Sequence, residues 1–348
     1  MRRRSFALLL LSAVLAGCAP SIQQPLHDVP PVPTPTPHPI RLPQDDAPHT
    51  DLTEWWYYTG HLLAVSGLRY GFELVVFQVA RAGAPFYYAA HFAITDHQRR
   101  AFHFAQATWS LDRPPLSFDL EHGGWRISGD GHTDRLAAAM PDYAIDLRLE
   151  PRKPPTLHGM RGVVSFGPVG DSYYYSETRL DVTGTISDHG IRQMVTGQAW
   201  KDRQWGNFLV LDRGGWDWFS IQLDDGRDLM LFLLRGPLGE VTPAYGTLVL
   251  PSGAPRVLEP GAAVVAATGQ WTSPRTGVRY PSGWSVSLPV QGLHLELRPV
   301  IPDQELDTRS STGQIYWEGE VVIDGSSDGR PVAGQGYVEL TGYAADRT

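Results

Sequence analysis

From about residue 50 onward, apolar and polar residues alternate in short blocks separated by glycine-bearing turns. That is the period-two signature of strands, and stretches with the 3.6-residue period of helices are hard to find. LRYGFELVVFQVAR (68–81), YYAAHFAI (87–94), DLMLFLLR (228–235) and LHLELRPV (293–300) read as strands. Ser66-Gly67, Asp188-His189-Gly190, Asp225-Gly226 and Asp328-Gly329 read as hairpin turns. One segment, TDRLAAAMPDYA (133–144), has room for a helical turn.

Residues 54–63, EWWYYTGHLL, break the alternation. On a strand Trp55 and Tyr57 share one face while Trp56 and Tyr58 share the other, so neither face is plainly solvated. Such a strand either lies between two packed layers or lines a cavity on one side. Glu54, at its start, would need a cationic or hydrogen-bonding partner, because an unpaired buried carboxylate is costly.

The strand pattern repeats. YSETRLDV (175–182) with VTGQAW (195–200) resembles YWEGEVVI (316–323) with VAGQGY (332–337). Upstream, EWWYYTGHL and its following strand parallel WDWFSIQL and DLMLFLLR. Each half opens with an aromatic hairpin and closes on Tyr-x-Glu…Gly-Gln, which implies tandem copies of one β-unit with a border near 206–214. A unit of antiparallel hairpins this size suits one up-and-down barrel with a small cavity. The fold expected is therefore all-β, with two antiparallel barrels over residues 49–210 and 211–348.

Composition narrows the class. The 348 residues include 36 Gly and 29 Pro, and the net charge of −8 becomes −11 once Arg2, Arg3 and Arg4 leave with a leader. No basic cluster remains to meet phosphates, so nucleic-acid binding is not expected. MRRRSFALLLLSAVLAGC (1–18) has a basic start, a short apolar core and Leu-Ala-Gly-Cys, as in bacterial lipoprotein signals. Cys18, the single cysteine, is the expected lipidation site. Residues 19–48 are proline-rich and suit a semi-rigid spacer. The expected location is the periplasmic side of the cell envelope. Ala19 lacks the acidic character that often retains lipoproteins at the inner membrane, which favours the outer one.

Together EWWYYTGHL, YYAAHFAITD, GQAWKDRQWG, GWDWFSIQLDDGRDLMLFLLR and GQGYVELTGY resemble the AttH-like family, related to carotenoid 1,2-hydratases and often labelled predicted secreted hydrolases. The resemblance implies two lipocalin-like barrels, an apolar or lipid-like ligand and no cofactor. It also implies, by the company some members keep, ABC-transporter components as partners. The hydratase relatives add water to a C=C bond, which needs a proton donor and a stabilised cation.

On that basis Asp202 is the expected acid, with Trp205 and Trp218 facing the cation. Glu54, His91 and Tyr175 are candidates to position water. Trp56, Tyr58, Arg203 and Asp217 complete the expected ligand contacts, Asp217 paired with Arg213 or Arg235. Hydratases tend to carry His directly after this Asp, where this chain has Arg203. A neighbouring guanidinium would favour the ionised carboxylate, so Asp202–Arg203 also reads as a structural pair. Gly325-Ser326-Ser327-Asp328-Gly329 fits G-x-S-x-G, but in a hairpin rather than under an α/β sheet. No histidine spacing suggests a metal. Three functions follow as expectations: a lipid-anchored carrier of an apolar molecule, a hydro-lyase acting on an isoprenoid, and an interaction protein with filled barrels whose surface binds envelope partners.

Overall fold

The computed structural model describes residues 38–165, 170–208, 214–236 and 240–344; the leader with Cys18 lies outside them, as does Arg213. Regular structure among these residues is strand, apart from short 3₁₀ turns at Gln44–Asp46 and Pro289–Gln291. The first sheet contains β1 (Thr53–Ala64), β2 (Arg69–Val79), β3 (Phe86–Asp96), β4 (Ala101–Leu111), β5 (Asp119–His122), β6 (Trp125–Gly129), β7 (Asp134–Ala139), β8 (Tyr143–Pro151), β9 (Thr156–Leu157), β10 (Val163–Ser165), β11 (Asp171–Asp188) and β12 (Ile191–Gly206). Its order is β4-β3-β2-β1-β12-β11-β8-β7-β6-β5, with β9 and β10 also on β11.

The second half supplies β13 (Gly215–Leu223), β14 (Asp228–Arg235), β15 (Tyr245–Val249), β16 (Pro255–Leu258), β17 (Val264–Ala267), β18 (Gln270–Thr272), β19 (Arg279–Pro281), β20 (Trp284–Leu288), β21 (Leu293–Pro299), β22 (Glu305–Thr308), β23 (Gln314–Ser327) and β24 (Arg330–Leu340). They form a sheet of order β16-β15-β14-β13-β24-β23-β21-β20-β17 with β22 on β23, while β18 and β19 pair separately. Both large sheets are antiparallel and curl into lipocalin-like barrels.

The repeat is visible in the pairing. In each sheet the first strand closes on the last, β1 on β12 and β13 on β24, with Gly197 opposite Leu62 and Gly334 opposite Leu223. A Cβ at Gly197 would meet the His61 carbonyl oxygen at 1.9 Å, and one at Gly334 the Gln222 oxygen at 2.5 Å. The shared Gly-Gln is thus a requirement of close strand approach. The Tyr-x-Glu match is one residue out of phase. An irregularity between Glu177 and Leu180 in β11 leaves Tyr175 and Glu177 against the first barrel's Lys201, whereas Tyr316 and Glu318 face the other barrel.

Both faces of β1 are buried. Trp56, Tyr58 and Leu62 join the core inside the first barrel, while Tyr57 packs with Trp218 and Tyr337 of the second. Trp56 and Tyr58, expected at a ligand wall, are core residues: the Trp56 indole donates to the Asp46 carbonyl at 2.9 Å and the Tyr58 hydroxyl to Asp134 at 2.8 Å. The second barrel is filled in the same way by Phe219, Leu231, Trp284 and Trp317. Residues 134–139, where a helical turn was expected, form β7, whose Asp134, Leu136 and Ala138 are buried in period-two alternation. The Gly325–Gly329 motif spans the end of β23 and its turn into β24, with Asp328 and Gly329 at positive φ, so no nucleophile elbow forms.

Glu54 has the partners its burial demands. Arg203 donates to it at 2.5 Å, His49 at 2.7 Å and Gln78 at 3.1 Å. Burial alone would raise the Glu54 pKa, but Arg203 and His49 outweigh it and hold the carboxyl below its ordinary range. Replacing Arg203 with Met strands this carboxylate and is expected to lower the unfolding free energy by about 3–5 kcal/mol. Urea denaturation measures this, and Glu54→Leu added to Arg203→Met is expected to recover much of the loss.

Candidate functional site

The two barrels meet along their outward sheet faces. From the first barrel come Tyr57 on β1, Glu73 and Val75 on β2, His91 on β3, Tyr174 and Ser176 on β11, and Trp200 and Asp202 on β12. From the second come Trp216 and Trp218 on β13, Met230 on β14, Tyr316 and Glu318 on β23, and Tyr337 and Glu339 on β24. Trp55, Phe77, Trp216, Phe232 and Tyr245 are only partly buried and ring this cluster with aromatic surface.

Asp202 lies at its floor, 4% exposed. Tyr174 and Ser176 donate hydroxyl hydrogen bonds to it, and the Trp200 indole donates at 2.6 Å. Trp218 reaches across from the second barrel and donates to the Tyr174 oxygen at 3.0 Å. His158 Nε2 is 2.6 Å from the Ser176 hydroxyl, and its Nδ1 is 3.0 Å from Thr247 of the second barrel. Burial pushes the Asp202 carboxyl up to about 6, although Ser176, Tyr174 and Trp200 pull the other way. Burial likewise pushes His158 and His91 down to about 3, leaving both neutral.

Arg203 does not touch this carboxyl. Successive strand residues point to opposite faces, so Asp202 enters the seam while Arg203 enters the first barrel, over the Trp56 ring at 4.0 Å and against Glu54. The expected Asp202–Arg203 pair is therefore absent, and the objection to a raised Asp202 pKa goes with it. Trp205, offered as a partner of Asp202, also points inward and stacks on His49 at 4.6 Å. Tyr175 donates to Asp46 in the same interior network. Asp217 turns from the seam to Arg235 and to Tyr343, 3.0 Å away. Of the expected site residues, the structure brings Asp202, Trp218 and His91 to the seam.

The seam holds three more carboxyls that sequence reading passed over. Tyr57 donates to Glu318 at 2.7 Å, Tyr316 to Glu73 at 2.9 Å, and the Trp216 indole to Glu339 at 2.7 Å. Burial holds Glu318 and Glu73 well above the ordinary glutamate range, and Glu318 is raised further by Glu73 and Glu339. Burial and nearby Asp202 push Glu339 up to about 7 despite the Trp216 bond. Among the described residues none of these four carboxyls pairs with a cation, and one oxygen of each of Glu73 and Glu318 is buried without a hydrogen bond. His91 ties into the group through Tyr316, 2.8 Å away.

Farther along β1 the seam opens into a groove of about 440 Å³ lined by His61, Arg69, His97, Gln198, Glu320 and Gln335, among others. Glu320 there bridges His61 and His97, each at 2.7 Å. Burial would raise this carboxyl, but the two imidazole bonds hold it below its ordinary range. The groove and the raised acids are distinct places. Buried carboxyls with raised pKa values and no cation beside them are the setting in which candidate proton-transfer groups are found.

Comparison with known proteins places the architecture. The AttH-like family model matches residues 33–343. A crystal structure of a candidate AttH from Nitrosomonas europaea is 34% identical, with TM-score 0.80 over 90% of this chain and 99% of that one. Kievitone hydratase from Nectria haematococca is 17% identical, with TM-score 0.72 over 87% and 93%. CghA is 12% identical, with TM-score 0.58 over 91% and 96%. The latter two share the fold. No curated protein sequence matches. With a family model spanning nearly all of its described residues, the chain is a member of the AttH-like family.

Proposed function

We propose that this protein is a hydro-lyase of the hydratase type, adding water to a C=C bond of an apolar, isoprenoid-like molecule held in the seam between the barrels. The observation that carries this reading is Asp202: a fully buried carboxyl without a cation, raised to about 6, beneath a rim of aromatic rings. Protonating an alkene requires an acid that keeps its proton near neutral pH and a surface that tolerates the resulting cation. Asp202, raised to about 6, is shifted toward the first task and keeps its proton below that pH. The Trp218 and Tyr57 rings, 5.2 Å apart edge to face, suit the second. Kievitone hydratase is named for the same class of reaction, which supports the choice without fixing the substrate.

The same seam would serve a carrier of apolar molecules, and turnover separates the two roles. Incubation with an acyclic carotenoid is expected to give a product heavier by one water. Asp202→Asn is expected to slow its formation about 10²–10⁴-fold with an unchanged near-ultraviolet circular dichroism spectrum. Tight binding without any product would instead assign the seam to transport.

The raised acids also set a stability signature. Glu339 has a higher pKa folded than unfolded, so its contribution is complete below the ordinary glutamate value and is lost as pH rises through about 7. Asp202 acts in the same direction through about 6. The melting temperature is therefore expected to fall between pH 5 and pH 8, and to fall less in Glu339→Gln.

For location, the proposal is a lipid on Cys18 that holds the barrels at the envelope by way of the proline-rich spacer, within reach of an export system. Mass spectrometry of membrane-extracted protein is expected to find an acylated Cys18 as the first residue.

A further inference from the structure

The pseudo-repeat puts a second carboxyl where the first barrel has Asp202. In the first barrel Asp202 lies between Tyr57 on β1 and Ser176 on β11. In the second, Glu339 lies between Trp218 on β13 and Glu318 on β23. The ring of each row crosses to the other barrel: Tyr57 donates to Glu318, and Trp218 donates to Tyr174, which donates to Asp202. Tyr57 and Trp218 meet edge to face between the two rows. The two acids therefore flank one aromatic pair in related settings.

The settings differ in two respects that matter chemically. Asp202 accepts three hydrogen bonds at the floor. Glu339 accepts one, from Trp216, and is partly buried, whereas Asp202 is 4% exposed. Glu318 beside it is fully buried with an oxygen that lacks a partner, so the row keeps an unused polar atom next to Glu339.

We infer that Asp202 and Glu339 form a two-carboxyl acid–base unit in which one member protonates the substrate while the other takes a proton from the attacking water. The inference rests on the hydratase reading and extends it to the C-terminal barrel. The protonated member gives its proton to one alkene carbon, whose π electrons form the new C–H bond. Water's oxygen then bonds to the adjacent cationic carbon, and the ionised member receives the proton this water loses. One water has been added, the pair again holds one proton, and no other reactant is consumed.

Carboxyl ¹³C NMR on protein labelled at Asp and Glu tests the unit without a substrate. Asp202→Asn is expected to lower the Glu339 midpoint by about half a unit or more, since it removes a nearby like charge. Glu339→Gln is expected to lower the Asp202 midpoint. Trp216→Phe, which leaves both acids in place, is expected to raise the Glu339 midpoint by removing its donor. Titrations that ignore one another overturn the unit. With an acyclic carotenoid as probe, the wild-type rate is expected to be bell-shaped in pH, and Glu339→Gln to lose one limb and about 10²-fold in kcat. Coupled titration without wild-type turnover supports the pair and refutes the hydratase reading. Turnover with an unchanged profile in Glu339→Gln overturns the pair and leaves that reading standing.

Discussion

A strand buried on both faces has no solvent side on which to put its polar groups, and β1 imposes that constraint on everything around it. Its Trp56 and Tyr58 face completes one barrel, so its Tyr57 face must be covered by something else, which is the second barrel. Carboxyls carried into that contact lose water. Those with cations nearby ionise, as Glu54 does against Arg203; those without are driven toward their neutral forms. The same packing thus produces a structural ion pair inside the first barrel and a set of poised acids outside it, only a few residues apart on neighbouring strands.

Two polar clusters brace the contact beyond the acids. Asp228 of the second barrel receives Lys153 at 2.6 Å, Thr178 at 2.8 Å and Arg179 at 2.6 Å. Glu320 receives His61 and His97. Gly71 makes room for the second cluster, since a Cβ there would come within 2.4 Å of Glu320 Oε2. With both clusters formed, the barrels are held in one register. Asp202 and Glu339 then keep a fixed relation to the Tyr57–Trp218 pair, the kind of preorganisation that proton transfer requires.

Much of this was legible in the residues. The strand alternation, the Gly-Gln hairpins and the doubled β-unit all follow from period-two patterning and turn chemistry, and Glu54's need for a cation follows from its neighbours. Reading Arg203 as the partner of Asp202 failed because adjacency along a strand means opposite faces, the rule already applied to Trp55 and Trp56. The helical turn at 133–144 failed because an alanine run fits a strand whose alternate residues are buried. Trp56 and Tyr58, read as walls of a ligand space, are buried in the first barrel's core, because large rings can fill an interior as well as line one. Glu339 had a signal: aligning GQAWKD with GQGYVE sets it opposite Asp202. Tyr174, Glu73 and His158 had none, since what unites them is the contact between two barrels, which no local pattern encodes.

The central claim is that an apolar molecule enters between the barrels rather than into either of them. A crystal structure with an acyclic isoprenoid alkene bound tests this directly. The account predicts density against Tyr57 and Trp218, within reach of Asp202 and Glu339. Ligand enclosed among Trp56, Phe72 and Leu147 of the first barrel, or among Trp284 and Trp317 of the second, would contradict it.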